Sequence, residues 1–360
     1  MIRLDVKQFS IEKLVKRAAE ILESGGMVVY PTETCYGMGV DATNERAVEK
    51  LLLYKRRREG KPLSVMVASE HDAEKLVELS SSAKNLYKRF LPGPMTVISR
   101  VRKNVVAKEV ASEMNTLGIR ISSHPLALAL ARYFKKPITA TSANASNKRK
   151  PYSIEDLLKP LSKRQVGLID MVLDYGELPR QETSTVVDTT IVSQMVLRPG
   201  AIKAFGEANK LVTKSLSDTK RLAQTLMLKN WDEIKGKGLV VGLVGKLGVG
   251  KTVFAKGVGK FFKIFEPIVS PSYSLINEYE YDRHGVSGIF YHLDVWRLTG
   301  IQEIKQLRIA EMLGAGNVVV VEWVDKSMKY IESIAEKKKV KFIKIMIEEV
   351  DEKVRQFRIM

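Results

Sequence analysis

Gly238-Leu-Val-Val-Gly-Leu-Val-Gly245-Lys-Leu-Gly-Val-Gly250-Lys251-Thr252 is an apolar run that breaks into a Gly-rich turn ahead of a helical pattern. The turn has the form G-x-x-x-x-G-K-[ST], and it lies between an expected strand, 238–244, and an expected helix, 252–262. In that context the glycines let backbone N–H groups turn inward around phosphate oxygens, and the helix N-terminus adds partial positive charge. Gly245, Gly248, Gly250, Lys251 and Thr252 are therefore the expected phosphate-binding set. Lys251 should reach the terminal phosphates, and the Thr252 hydroxyl should ligate Mg²⁺. The class this defines is an α/β P-loop NTPase domain.

Outward from the motif, a helix is expected near 219–228 and further strands at 289–293, 318–321 and 340–347. The alternation Lys341-Phe342-Ile343-Lys344-Ile345 reads as an edge strand with one wet face. The first half is a second α/β domain, expected as a twisted mixed sheet. It begins with an amphipathic helix at 11–23, N-capped by Ser10, and short strands follow at 27–30, 63–68, 95–101, 117–121, 138–141 and 184–188. Arg198-Pro199-Gly200 closes that domain with a turn signal. No sustained apolar pattern crosses 206–218, so the expected division is 1–205, a linker at 206–218, and 219–360.

The chain has 360 residues, 45% hydrophobic and 28% charged, the balance of globular domains rather than of disordered segments. No apolar run approaches the roughly 18 residues of a membrane span, the N-terminus lacks a signal-peptide core, and the single Cys35 excludes an internal disulfide. A cytoplasmic location is expected. His71, His124, His284 and His292 are scattered and make no zinc site with Cys35. The net charge is +18, divided as 34 Lys+Arg against 23 Asp+Glu before residue 214 and 25 against 18 from there on. Both halves are basic, which suits nucleic acid, nucleotides or another polyanion, and equally a lysine-rich solubilising surface.

The first half has no phosphate loop, yet its polar residues gather at expected strand and helix ends. Pro31-Thr-Glu-Thr-Cys-Tyr-Gly37 follows a buried strand, Lys55-Arg-Arg57 ends a helix and Lys61 opens the next strand. Asn115-Thr-Leu-Gly-Ile-Arg120, Thr139-Ala-Thr-Ser-Ala-Asn144, Ser184-Thr-Val-Val-Asp188 and Leu197-Arg-Pro-Gly200 complete the series. Cations with hydroxyls and amides suit an anionic, hydroxylated ligand. Taken singly, Thr139 or Asn144 is more often a cap or turn residue. Cys35 reads as a small buried residue and not as a nucleophile.

Two resemblances sharpen these readings. In the second half, Ser270-Pro-Ser-Tyr-Ser-Leu275, Tyr291-His-Leu-Asp-Val-Trp-Arg297 and Val321-Glu-Trp323 follow the P-loop in an order that resembles TsaE. TsaE is the small ATPase of bacterial tRNA threonylcarbamoyladenosine synthesis. The resemblance implies Asp294 and Glu322 at the metal with Thr252, Ser272 near the γ-phosphate, and Trp323 near the nucleotide. It also implies TsaD- and TsaB-like partners. Lys246, Val253 and Arg308 depart from the family pattern, Arg308 standing in place of a glycine. His292 reads as packed or solvated.

In the first half, Tyr-Pro-Thr-Glu-Thr-x-Tyr-Gly, Lys-x-Arg, Leu-Pro-Gly-Pro-Met-Thr, Ser-Ala-Asn and Ser-Thr-Val-Val-Asp…Leu-Arg-Pro-Gly resemble the YrdC/TsaC family, in family order. That family joins L-threonine, bicarbonate or CO₂, and ATP into L-threonylcarbamoyladenylate, releasing pyrophosphate. The resemblance implies that Lys55, Arg57, Ser142 and Asn144 surround ATP and threonine. Thr32 and Arg120 would contact threonine. Thr116, Ser184 and Arg198 would line the nucleotide side and Tyr36 would wall the pocket, with Lys61 and Thr139 as further substrate residues. Met66 stands where the family has histidine, and a thioether neither donates a hydrogen bond nor titrates. The implied role is a bifunctional tRNA-modification enzyme that uses ATP in both domains, with tRNA reached through the complex or directly. The alternatives are an RNA-binding first half and, more distantly, a small-molecule kinase in the second half. A carbamoyltransferase of the hydrogenase-maturation type shares the first half's fold, but the single cysteine rules out the Cys-rich zinc segments it would bring.

Overall fold

The computed structural model describes all residues except 56–61, 146–147, 192 and 205–209, and the side chain of Lys326. The chain divides into two compact units, 1–190 with 194–206, and 191–193 with 207–360.

Among the described residues the first unit has eleven strands. They are β1 (Ile2–Asp5), β2 (Val28–Pro31), β3 (Tyr36–Gly39), β4 (Ser64–Met66), β5 (Val77–Glu78) and β6 (Met95–Val101), then β7 (Thr116–Arg120), β8 (Ile138–Ser142), β9 (Met171–Asp174), β10 (Thr185–Asp188) and β11 (Met195–Arg198). Their order is β1-β9-β2-β3-β8-β4-β7-β6-β10-β11, with β5 beside β6, and the pairing is mixed. The expected mixed-sheet α/β fold is what forms. Both faces are covered, as the run Met27-Val-Val-Tyr30 requires, because successive side chains of a strand point to opposite faces. Met27 and Val29 join Tyr36, Met38 and Tyr54 in one core. Val28 and Tyr30 join Leu14, Leu126 and Leu130 in the other. Helix Ile11–Glu23 forms where its period placed it, and the Ser10 hydroxyl accepts the Lys13 N–H at 3.3 Å.

Seven strands are described in the second unit, β12 (Lys210–Thr213), β13 (Leu239–Val244), β14 (Ile276–Arg283), β15 (Val286–Asp294), β16 (Val318–Glu322), β17 (Lys341–Glu349) and β18 (Arg355–Ile359). Their order is β12-β18-β17-β13-β16-β15-β14. β13, β16 and β15 run parallel, so their C-terminal ends share one edge. Val240, Val319, Val321 and Leu293 fill a core on one face.

Two expectations are corrected. The strand that holds the alternating run 341–345 is not the edge of the sheet, because β17 pairs with β13 along 341–346 and with β18 along 345–349. Alternation reports one wetter face, not an unpaired ladder. The expected linker 206–218 contains β12, which pairs antiparallel with β18, and helix Leu216–Lys229 begins inside it. Four residues are too few to show a period, and Leu211 is nonetheless buried.

A second-unit fragment should therefore start before β12. A fragment of 207–360 is expected to melt cooperatively, and Leu211→Ala within it to lose about 2–4 kcal/mol in urea titration. Arg308, which replaces the family's glycine, sits at φ 53° in the left-handed region. Arg308→Gly is expected to gain roughly 1 kcal/mol in the same titration by relieving that strain.

Candidate functional site

In the second unit, β13 runs into the phosphate loop and helix Lys251–Phe261 leaves it. Gly248 and Gly250 sit at φ 76° and 108°, which L side chains resist, so the conformation itself calls for glycine. The Lys251 ammonium donates to the carbonyls of Gly245 and Lys246, both at 2.9 Å, and lies 3.6 Å from the centroid of the Trp323 ring. Burial lowers its pKa, and the charges of Glu322, Asp294 and Asp325 oppose that shift. Asp294 and Glu322 end adjacent parallel strands in direct register. The Thr252 hydroxyl donates to Glu322 Oε1 at 2.9 Å. The hydroxyls of Ser270 and Ser272 donate to Asp294 Oδ2 at 2.9 and 3.0 Å. Lys251, Thr252, Ser272, Asp294, Glu322 and Trp323 thus meet around one loop.

Three participants were missed by sequence reasoning. Ser270 shares Asp294 with Ser272. His292, expected to be packed or solvated, is fully buried with Nε2 2.9 Å from Glu322 Oε1. The His-x-Asp spacing on one strand carried that signal, since residues two apart share a face. Arg355 of β18 donates to the Val249 carbonyl at 3.2 Å, bracing the phosphate loop from a distant strand. No local pattern points to it.

Among the described residues, no group of three or more His, Cys, Asp or Glu could hold a metal ion. One hydroxyl and two carboxylates are what remains, all hard oxygen donors. That set fits Mg²⁺, which keeps waters and substrate phosphates as its other ligands.

In the first unit the end of helix Glu45–Lys55 is sewn to the turn after β8. The buried Tyr54 hydroxyl donates to the Ala143 carbonyl at 2.6 Å. Lys55 donates to the carbonyls of Ser142 and, at 2.6 Å, Asn144. Lys55, Ser142 and Asn144 are therefore brought together, and Ser142 lies in register with Gly37 of β3. The Asn144 amide donates to the Lys148 carbonyl at 2.6 Å, while its buried Oδ1 has no partner among the described residues. Arg57 and Lys61 lie outside the described residues.

Arg120 ends β7 and is paired at 2.5 Å with Glu33, whose other oxygen accepts from the Ser122 hydroxyl. Arg198 donates to the Ser184 hydroxyl at 2.8 Å and to the Ser184 carbonyl at 3.0 Å. Desolvation lowers the Arg198 pKa, and the like charge of Arg120 lowers it further, so the two guanidinium groups feel each other. Burial raises the Cys35 pKa, against the nearby charges of Arg120, Lys150 and Lys55. Arg120 thus reaches the turn between β2 and β3 through Glu33, Lys55 binds the Ser142 carbonyl opposite Gly37, and Lys150 precedes Pro151, whose carbonyl accepts the Tyr36 N–H. Glu33 and Lys150 were not singled out in the sequence, although Glu33 lies inside the quoted Pro-Thr-Glu-Thr string.

Other residues expected at the site have hydrogen-bond partners within the chain. The Thr32 hydroxyl donates to the Cys35 carbonyl at 2.6 Å and accepts the N–H groups of Thr34 and Cys35, which holds the turn. The Tyr36 hydroxyl donates to the Gly176 carbonyl at 2.8 Å, and burial pushes its pKa upward. Thr116 shares its proton with Ser112 at 2.7 Å. Thr139 is fully buried and its hydroxyl accepts the Val40 N–H at 3.0 Å, so it joins β8 to β3 and does not face a cleft. Met66 is buried in a core cluster with Tyr30 and Leu126.

The geometry defines two nucleotide-type α/β domains, one built on a P-loop and one on a cluster of cations at strand and helix ends. The chain belongs to the Sua5/YciO/YrdC family, whose model, described as telomere recombination, matches residues 20–200, half of the chain. Residues 213–357 match the model for threonylcarbamoyl adenosine biosynthesis protein TsaE. A threonylcarbamoyl-AMP synthase of Pyrococcus abyssi is 34% identical over 200 residues, 55% of this chain and 57% of that protein. One of Bacillus subtilis is 36% identical over 189 residues, 52% of this chain and 54% of that protein. The chain thus spans somewhat over half the length of these relatives. A crystal structure of P. abyssi Sua5 complexed with L-threonine shares the fold, with a TM-score of 0.51 and 24% identity over 95% of this chain and 98% of that one. Among the described residues, no helix is long and apolar enough to cross a membrane.

Cys35 tests the reading of the turn. It is 5% exposed with a raised pKa, so at pH 7 it stays a shielded thiol. Its modification by a thiol reagent is expected to be at least about tenfold slower in the native chain than in urea, because only the accessible thiolate reacts. Equal rates would show that the turn is open.

Proposed function

We propose that the first unit forms L-threonylcarbamoyladenylate from L-threonine, bicarbonate or CO₂, and ATP, releasing pyrophosphate. The second unit hydrolyses ATP within the TsaD- and TsaB-containing machinery that passes the group to the tRNA adenosine beside the anticodon, in the cytoplasm. The observation that carries this reading is that Arg120 meets Glu33 in the turn between β2 and β3 while Lys55 holds the carbonyls of Ser142 and Asn144 beside Gly37. This arrangement occurs in a chain related to proteins named threonylcarbamoyl-AMP synthase.

The residues fit the chemistry without a covalent intermediate. Threonine carbamate and ATP are both anionic, and their reaction places further charge on phosphate oxygens. Fixed cations stabilise that charge in place, so positioning and electrostatics supply the rate. Arg120 would take the threonine carboxylate in place of Glu33, and Arg198 with Ser184 would face the nucleotide. Lys55, Arg57, Ser142 and Asn144 would hold the reacting ends together, with Thr32, Tyr36, Lys61 and Thr116 shaping the pocket. In the second unit Gly245, Gly248, Gly250 and Lys251 would cradle the phosphates. Thr252, Asp294 and Glu322 would hold Mg²⁺, which supplies charge neutralisation at the phosphates, and Ser272 and Trp323 would flank the nucleotide.

Pyrophosphate release measured as kcat/KM should rank threonine first, then serine lower by about 10–200-fold, then valine lower by up to roughly 10⁴-fold. A lost methyl removes only apolar contact, whereas a lost hydroxyl leaves buried polar groups unpaired. Valine equal to serine would refute a hydroxyl-reading pocket, and release without any amino acid would refute the synthase. Lys251→Ala should abolish ATP hydrolysis measured with TsaD and TsaB and leave threonine-dependent pyrophosphate release intact. Loss of both would mean a shared site.

A further inference from the structure

The second unit has a basic groove away from the nucleotide loop. It encloses about 600 Å³ and is lined by four lysines, Lys220, Lys256, Lys260 and Lys263, against the single carboxylate of Glu266. Two close approaches build it. Gly257 meets helix Leu216–Lys229 so tightly that an added Cβ would lie 2.5 Å from the Lys220 carbonyl and 2.7 Å from the Ala223 Cβ. Gly259 meets Ile268, where an added Cβ would lie 2.5 Å from a side-chain carbon. The first contact brings Lys220 against the helix that carries Lys256 and Lys260, and the second folds the segment 263–269 along the same helix. Lys256 and Lys260 are one turn apart on one face, where like charges repel. Both are exposed, and among the described residues neither they nor Lys220 forms an ion pair with a carboxylate. At the rim the Phe265 ring is fully exposed, with a relative accessibility of 101%.

Clustered lysines beside an unsupported aromatic ring form an arrangement that is unfavourable in isolation on both counts. It becomes favourable when one ligand neutralises the charges and covers the ring. A peptide of carboxylates alone answers the charges and leaves the ring without a partner, and duplex RNA keeps its bases stacked away from it. An unpaired RNA strand answers both, with phosphates along the lysines and a base stacked on Phe265. We propose that this groove binds a single-stranded segment of RNA. From Lys251 to Lys260 the helix rises about 13 Å, so the RNA groove and the nucleotide loop lie along one rigid element. The inference uses none of the nucleotide chemistry proposed above, and pyrophosphate release is its independent control.

The test is fluorescence anisotropy of the full chain with a labelled oligouridine of about twelve nucleotides, a length within single-strand site sizes, titrated across salt concentrations. Each lysine that neutralises a phosphate contributes roughly −0.7 to the slope of log K against log salt. Lys256→Glu with Lys260→Glu is expected to flatten the slope by about 1.4 and to weaken binding at least about tenfold at low salt. Lys256→Arg with Lys260→Arg should preserve both. Phe265→Ala should weaken binding about tenfold with the slope unchanged, since stacking releases no counterions. Because the slope change belongs to these lysines, it separates the groove from the rest of a basic surface. Unchanged affinity in the charge-reversed protein or in Phe265→Ala would overturn the proposal. So would a duplex or polyglutamate that competes as well as unlabelled single strand, since either would make the groove a general polyanion or acidic-protein surface.

Discussion

Parallel pairing of three strands governs the chemistry of the second unit. Leu243 of β13 lies opposite Glu322 of β16, and Glu322 lies opposite Asp294 of β15, so the loop that follows β13 opens beside both carboxylates. Parallel strands end on the same edge, and that edge is where open α/β sheets bind ligands. A slip of one residue would turn Glu322 toward the opposite face and break its bonds with Thr252 and His292. The run Val318–Val321 is buried throughout and alike on both faces, so the contacts of Glu322, and not the valines, mark that register.

The first unit solves a similar problem without a phosphate loop. Its cations are held by oxygen atoms of the chain, Lys55 by carbonyls after β8, Arg198 by Ser184, and Arg120 by Glu33. Arg198 is exposed, but Lys55 is buried and Arg120 largely so, and buried charges persist only when they are paired and hydrogen-bonded. Each cation therefore arrives with a surrogate anion or dipole, and Glu33 is the one that an incoming carboxylate most directly resembles. In the string Pro-Thr-Glu-Thr the Thr32 hydroxyl braces the turn, and Glu33 between the two threonines meets Arg120.

Both units show why single residues mislead and constellations do not. Thr139 and Asn144 lie five residues apart on one strand and the turn after it, yet Thr139 is locked inside the sheet while Asn144 keeps a buried oxygen without a partner among the described residues. Met66, which looked like a defect in a binding pocket, belongs to the apolar core. Arg308, where the resemblance to TsaE implies a glycine, takes a left-handed backbone, so the departure is a strain in the chain.

The sequence by itself determined the two α/β units, the phosphate loop and most of the residues around it. Strong periodicity, a glycine-rich turn in its proper context and ordered family motifs are local signals, and local signals survive in a string of letters. It also singled out Lys55 and Ser142, which the fold then brings together, and Arg120 and Arg198. Only the tertiary structure decided that β12 joins the second sheet, that β17 is internal, and that Arg355 braces the loop. The same holds for Glu33, Lys150 and His292, and for the lysines that line one groove with Phe265. The reason is physical. Strand neighbours and side-chain partners are set by contacts across more than a hundred residues in some cases, such as Arg355 with Val249, and no periodicity within either segment encodes the other.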